Sequence, residues 1–346
     1  MKAVLGLATL VLFLFGAGSA GAADFYDGKK IRLIVSSSPG GGNDTYSRLL
    51  ARHIGRHIPG SPSIIVQNMP GAGGVRAASY LYNKARRDGT VMEQINWGVW
   101  NWQVVGDKKR GGQFDFNKMQ AIGVIIIENG LIYSRKDRFK SLDDIKKSGK
   151  LARVGISGNQ SSGFVIGNIL EKLRGETLFE YVFGYPGARQ YSLAFRQGEV
   201  DVSGNVTSSF MDQLGDMWKA GDIVMLAQTG TVKGEKAPEF PNAPLLESLA
   251  KTEKQKNLVR ATFLLSRYGR PYAFPPGVPA DRVALVRKAF DATMKDPKFI
   301  AEGKKLGRDV DPTSGADLQK MWKDSLGASP EDKAIVAQIF NPKGKK

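Results

Sequence analysis

Three stretches of this 346-residue sequence gather groups suited to holding an anion. Ser38-Pro39-Gly40-Gly41-Gly42-Asn43-Asp44-Thr45 and Asn68-Met69-Pro70-Gly71-Ala72-Gly73-Gly74 lie early in the chain, and Ser157-Gly158-Asn159-Gln160-Ser161-Ser162-Gly163 lies near its middle. Each combines glycines, which let backbone N–H groups come close to a ligand, with hydroxyl or amide side chains. Each also precedes a helical pattern, so the free N–H groups of a helix N-terminus stand behind it. A nest of this kind suits a carboxylate. Asn43, Asp44 and Ser157 are also natural helix caps and the glycines natural turn residues, so any one loop reads equally well as structure. Its recurrence on both halves of the chain favours binding.

Other chemistries find little to work with. The glycine loop at Gly40 lacks the Gly-Lys-Ser/Thr step that holds a terminal phosphate, and Arg76 stands where the loop at Gly71 would need its third dinucleotide glycine. The two histidines, His53 and His57, are four apart on one helix, but no acidic partner of a zinc-protease type follows, so they read as partly buried surface residues. There is no G-x-S-x-G elbow and no cysteine, which removes the common nucleophiles, thiolate metal sites, disulfides and a lipid-anchored Cys. No catalytic set, metal or cofactor is expected. Trp97, Trp100 and Trp102 follow a strand at the proposed ligand edge; Trp97 is the one placed to stack on a ligand ring, while Trp100 and Trp102 read equally as packing. Arg189 is a candidate partner for a second carboxylate and reads equally as a solvated arginine.

The elements that must position these residues alternate. A β-rich run, Lys30 to Val35, feeds the first loop, and a helix follows with apolar residues at Tyr46, Leu49, Leu50, Ile54 and Ile58 before Pro59-Gly60. Ile64 to Val66 feeds the second loop and a helix carrying Ala77, Ala78 and Leu81; Thr90 to Asn96 is a third strand. Strand, loop and helix in succession argue for parallel sheets covered by helices, with ligands beyond the carboxyl ends of the strands. The loops at Ser36, Asn68 and Asn96 should therefore share one edge. A second set follows: strand Ala121 to Ile127, helix Leu142 to Lys147, strand Leu151 to Ile156, the third loop, helix Phe164 to Leu173, then the runs ending at Phe183 and Val202. Tyr272 to Gly277 reads as a connector returning to the first domain, before helical patterns over Asp281 to Met294 and Ala316 to Ser325.

Lys2, the apolar stretch Ala3 to Phe15 and the small residues up to Ala23 read as a secretory signal, residues 1–22. The remainder exceeds the size at which one core keeps growing, so two domains are expected: 23–126 with 270–346, and 127–269. The net charge of +17 is dispersed rather than striped; Lys108-Lys109-Arg110 and Lys343 to Lys346 read as solvated, and the charge as solubility and steering of anionic ligands rather than nucleic-acid binding.

Taken together, Ser38 to Asp44, Gln67 to Gly74, Asp88-Gly89-Thr90, Gly198-Glu199-Val200-Asp201, Pro241 to Pro244 and Pro275 to Pro279 resemble the substrate-binding receptors of tripartite tricarboxylate transporters, the Bug/TctC family, over essentially the whole chain after the signal. The resemblance implies an α/β type II periplasmic-binding-protein fold, with two lobes, mixed and mainly parallel sheets, and a cleft between them. It implies a periplasmic, monomeric receptor that captures a small carboxylate for a permease of one large and one small subunit, and not an enzyme. A periplasmic enzyme on the same fold and a receptor serving a sensor kinase are the alternatives. By position, ligand contacts would come from Ser38, Gly40, Gly41, Gly42, Asn43, Asp44 and Thr45, from Pro70, Gly71, Ala72 and Gly73, and from Ser157, Asn159, Gln160, Ser161 and Ser162. Trp97, Arg189 and Asn205 complete the expected set. Trp97 and the Ser203-Gly204-Asn205 segment depart from the commoner members and leave room for an aromatic or larger carboxylate.

Overall fold

A computed structural model of the protein describes residues 25–96, 98–106, 113–159, 161–230, 234–266 and 269–340, with the backbone alone for 261–266. The signal segment, the Lys108 to Arg110 cluster, the Lys343 to Lys346 tail and two expected site residues, Trp97 and Gln160, lie outside the described residues.

The first lobe opens with β1 (Lys30–Val35), α1 (Gly42–Ile54), β2 (Ser63–Asn68), α2 (Val75–Lys84), β3 (Val91–Gln94), α3 (Val99–Val104) and β4 (Gln120–Val124). The chain then builds a second lobe from β5 (Leu131–Arg135), α4 (Leu142–Lys147), β6 (Ala152–Gly155), α5 (Ser162–Arg174), β7 (Phe179–Val182), α6 (Ala188–Gln197), β8 (Val202–Ser203), α7 (Thr207–Lys219), β9 (Ile223–Gln228) and α8 (Glu253–Ser266). It returns through β10 (Pro271–Phe274), α9 (Ala280–Met294), α10 (Pro297–Lys305), β11 (Thr313–Ser314), α11 (Gly315–Leu326) and α12 (Pro330–Phe340).

The two sheets have strand orders β11-β4-β10-β3-β1-β2 and β7-β6-β8-β5-β9. Parallel pairing joins β2, β1 and β3 in one and β7, β6 and β8 in the other; β10, β11, β5 and β9 pair antiparallel. Burial follows position in the sheet. Central β1 buries Ile31, Leu33, Ile34 and Val35 on both faces, whereas edge strand β2 alternates and leaves Ile65 exposed.

Three local outcomes differ from the pattern read in the sequence. Helix α1 begins at Gly42 rather than Thr45, because Gly41 is extended and serves as its N-cap, and it tightens into a 3₁₀ turn over Gly55–His57. The segment expected as a connector is β10, an inner strand between β3 and β4. Pro271 stands first in it, and Tyr272 and Phe274 pack on one face while Ala273 packs on the other. Strands β5 and β9 had no distinct signal; they pair with each other, with a register shift after Ile132.

Trp100 and Trp102 settle into packing. Trp100 stacks on Trp322 at 5.7 Å, Phe116 meets both rings edge-on, and Trp102 abuts Phe340 of α12. Helix α12 thus packs on α3 of the first lobe and on α5 and α8 of the second. His53 bonds Glu302 and His57 bonds Asp296, separate carboxylates rather than a shared metal.

Candidate functional site

At the carboxyl end of β1 the chain must turn sharply into α1, and Asp44 organises the turn. Its Oδ2 accepts from Gly40 N–H and Arg48 Nε, both at 2.9 Å, and its Oδ1 accepts from Asn68 Nδ2 at 2.9 Å. Asn68 Nδ2 also donates to Ser37 O, so one carboxylate ties the first loop to the second. Burial opposes ionisation of Asp44, but the bonds from Arg48, Gly40 and Asn68 outweigh it and hold the carboxyl below the usual range. The side chain is thereby occupied in shaping the loop.

What this shaping leaves open is the N-terminus of α1. Its N-cap, Gly41, offers no side-chain cap, and the same holds for Ser161 before α5 and Gly187 before α6. By contrast α4, α10 and α11 are closed by Ser141, Asp296 and Ser314, and Ser208 N–H of α7 donates to Glu128 Oε1 at 2.7 Å. The helix starts at Gly74 and Pro279 also lack a side-chain cap, but the three at Gly41, Ser161 and Gly187 come from both lobes and meet at one cavity of about 120 Å³ between them. Ser36, Ser37, Gly71, Gly73 and Asn96 bring the edges of β1, β2 and β3 to the same wall, as the alternating pattern required.

The second lobe contributes Ser157, Ser161 and Ser162, with Val165, Ile166 and Tyr191 giving apolar surface. The loop before α7 lies directly against α5: a Cβ on Gly204 would come within 2.5 Å of both Gly163 Cα and Gly163 N. Only glycine permits that approach.

Two arginines reach the cavity. Arg270, at the second crossover between lobes, is buried and paired with Glu128 of the first crossover through Nε at 2.9 Å and Nη2 at 2.6 Å. Arg189, near the start of α6, has no hydrogen bond or ion pair among the described residues, and its guanidinium leans over Gly40 across the cleft. Among the described cavity-lining residues it is the charge without a partner.

Of the expected contacts, Ser38, Gly41, Gly42, Asn43, Gly71 and Gly73 line the cavity from the first lobe. Ser157, Ser161, Ser162, Arg189 and Asn205 line it from the second. Gly40, Asp44, Thr45, Pro70, Ala72 and Asn159 are not on its wall. Asp44 faces the loop, Thr45 accepts from Arg308, and Asn159 donates to Phe340 O at 3.0 Å. Asn205 is on the wall, but its amide is spent on Tyr133, Tyr191 and Ser192 and its carbonyl on Leu131 N–H. Glu128 and Arg270 carry no local sequence signal, since they meet only when the two crossovers are placed side by side. Ser37, one residue before the expected first loop, was missed; its Oγ is buried at the cavity without a partner among the described residues.

Two α/β lobes joined by paired crossovers, with a cavity between them, define a periplasmic-binding-protein fold. No family profile matches the chain. A UPF0065 protein of Agrobacterium vitis is 24% identical over 293 residues, 83% of this chain and 78% of the relative. Among solved structures, the periplasmic binding protein BugD superposes with a TM-score of 0.70 at 18% identity, covering 91% of this chain and 98% of that one. MatC from Rhodopseudomonas palustris with bound malate superposes with a TM-score of 0.68 at 17% identity, over 89% and 99% of the two chains. The chain thus resembles the Bug/TctC solute-binding proteins in sequence and fold.

Proposed function

We propose that the protein is a periplasmic receptor that captures a small carboxylate and hands it to a two-subunit permease of the tripartite tricarboxylate type. The observation that carries this reading is the convergence of three uncapped helix N-termini on one interlobe cavity, because free N–H groups at a helix start favour an anion. Burial of Ser37 Oγ at the same wall supports it, since a buried hydroxyl is normally hydrogen-bonded. The signal-like N-terminal segment and the resemblance to the Bug/TctC receptors support the compartment and the transport role.

Size and charge narrow the ligand. The cavity of about 120 Å³ is of the size that takes a small organic acid rather than a single ion. The malate of MatC falls in this class. Unpaired Arg189 favours a second anionic group on it. Titration calorimetry with mono- and dicarboxylates of four to eight carbons, alongside sugars and nucleotides, tests the reading. A dicarboxylate should bind best, and Arg189→Gln should weaken it by about tenfold or more, the scale of one charge-assisted bond, while changing monocarboxylate binding little. Binding of nucleotides or sugars in preference to every carboxylate would overturn it.

A further inference from the structure

Away from the cavity wall, the lobes also meet along a seam between α1 and α7. Tyr46 on α1 is fully buried, with the guanidinium carbon of Arg270 4.7 Å from its ring centre and that of Arg308 5.5 Å away. Arg308 follows α10 in the first lobe and reaches across to Asp212 on α7. Its Nη1 donates to Asp212 Oδ1 at 2.7 Å and its Nη2 to Oδ2, while Nε donates to Thr45 Oγ1 at 3.2 Å. Arg270 divides its donors similarly, with Asn43 Oδ1 in the first lobe and Ser208 Oγ of α7 in the second. Tyr46, Thr45, Asp212 and Arg308 do not line the cavity.

A two-pronged arginine–carboxylate pair is strong and directional, and the Arg308 side chain is only 5% exposed, which limits screening. Parting the lobes here would leave Arg308 partly desolvated against Tyr46 and Thr45 with its carboxylate withdrawn. Removing one partner of such a pair is costly, so closure and pair formation are coupled. We propose that the α1–α7 seam is a closure latch, in which Arg308 and Asp212 hold the lobes shut without touching the ligand. The latch thereby sets how tightly the receptor binds and not what it selects; this second half rests on the receptor reading, whereas the first concerns the unligated chain.

The sequence contains no cysteine, so Lys84→Cys on α2 and Lys147→Cys on α4, exposed sites in opposite lobes, can carry the only pair of spin labels. Pulsed electron spin resonance on the unligated protein should show the interlobe distance shifting to longer values in Arg308→Gln and in Asp212→Asn. The double exchange Arg308→Asp with Asp212→Arg should bring back part of the short-distance population. With malate and adipate as probes, each single variant should weaken both affinities by about tenfold with their ratio unchanged, as expected when only the closed population falls. Unchanged distances in both single variants would overturn the latch, and a changed affinity ratio would overturn its separation from selectivity. If neither probe binds the parent protein, the carboxylate reading loses ground while the distance measurement still decides the latch. Asp212→Asn is nearly isosteric, so it keeps the test open should Arg308→Gln fail to fold.

Discussion

Gly42→Ala puts the closed cleft under direct test. A Cβ at residue 42 would lie 2.3 Å from Ser209 Oγ and 2.6 and 3.0 Å from the two terminal nitrogens of Arg270. Within the first lobe alone the change is mild, because residue 42 is the first residue of α1 and alanine favours helix over glycine. Across the cleft it is severe. Ordinary contact begins at 3.4 Å, so Ser209 of the second lobe must retreat by about 1 Å, and Arg270 is held by Glu128, Ser208 and Asn43. Overpacking of this kind costs about 1–3 kcal/mol, and the closest part of it, against Ser209, is borne only when the lobes are closed. Ligand affinity should therefore fall by roughly 5- to 150-fold, at 1.4 kcal/mol for each factor of ten. Calorimetry with the preferred carboxylate measures the loss, and X-ray scattering should show a larger radius of gyration for the ligand-bound variant than for the ligand-bound parent. The unligated melting temperature should fall only slightly, because opening the lobes relieves the contact with Ser209. Affinity within twofold of the parent in a folded variant would refute the reasoning, because Ser209 would then not approach residue 42 this closely in the bound state. A large loss of unligated stability would refute it differently, by placing the clash within one lobe.

Asp44→Asn should destabilise the first loop in a pH-dependent manner. An aspartate in the unfolded chain titrates near pH ~3.9, whereas folded Asp44 is held lower, so its contribution is fully present above about pH 4 and is lost as pH falls through the folded value. Urea midpoints for parent and variant should differ at pH 7 and converge as pH falls below 4; an equal gap at both values would contradict the loop-tying role. Gly204→Ala should destabilise the second lobe by about 1–3 kcal/mol, because its Cβ would strike backbone atoms of Gly163 rather than a movable side chain. Calorimetric melting should fall by roughly 2–4 °C per kcal/mol for a domain of this size, and an unchanged melting temperature would show that the two loops can separate freely.

Periodicity made much of the framework legible. β1, α4, β6, α9 and α11 appear within a few residues of where apolar spacing put them, because one buried face is enough to set such a pattern. Strand β10 was hidden because Pro271 and the following Pro275-Pro276 read as punctuation, although the four residues between start and stop are all buried. Asp44 shows the limit for single side chains. Its type and place in a glycine loop suited a ligand contact, yet its three bonds were decided by Arg48 one turn along α1 and by Asn68 at the end of β2.

The sequence by itself determined the alternation of strand, glycine loop and helix, since this depends on residues close in the chain. Tertiary structure alone decided which loops face one another. It placed Arg189 over Gly40, joined Glu128 to Arg270 across 142 residues and Asp212 to Arg308 across 96. Charges that far apart have no periodicity to betray them; each becomes a partner only when the two crossovers fix the lobes against each other and remove the water between them.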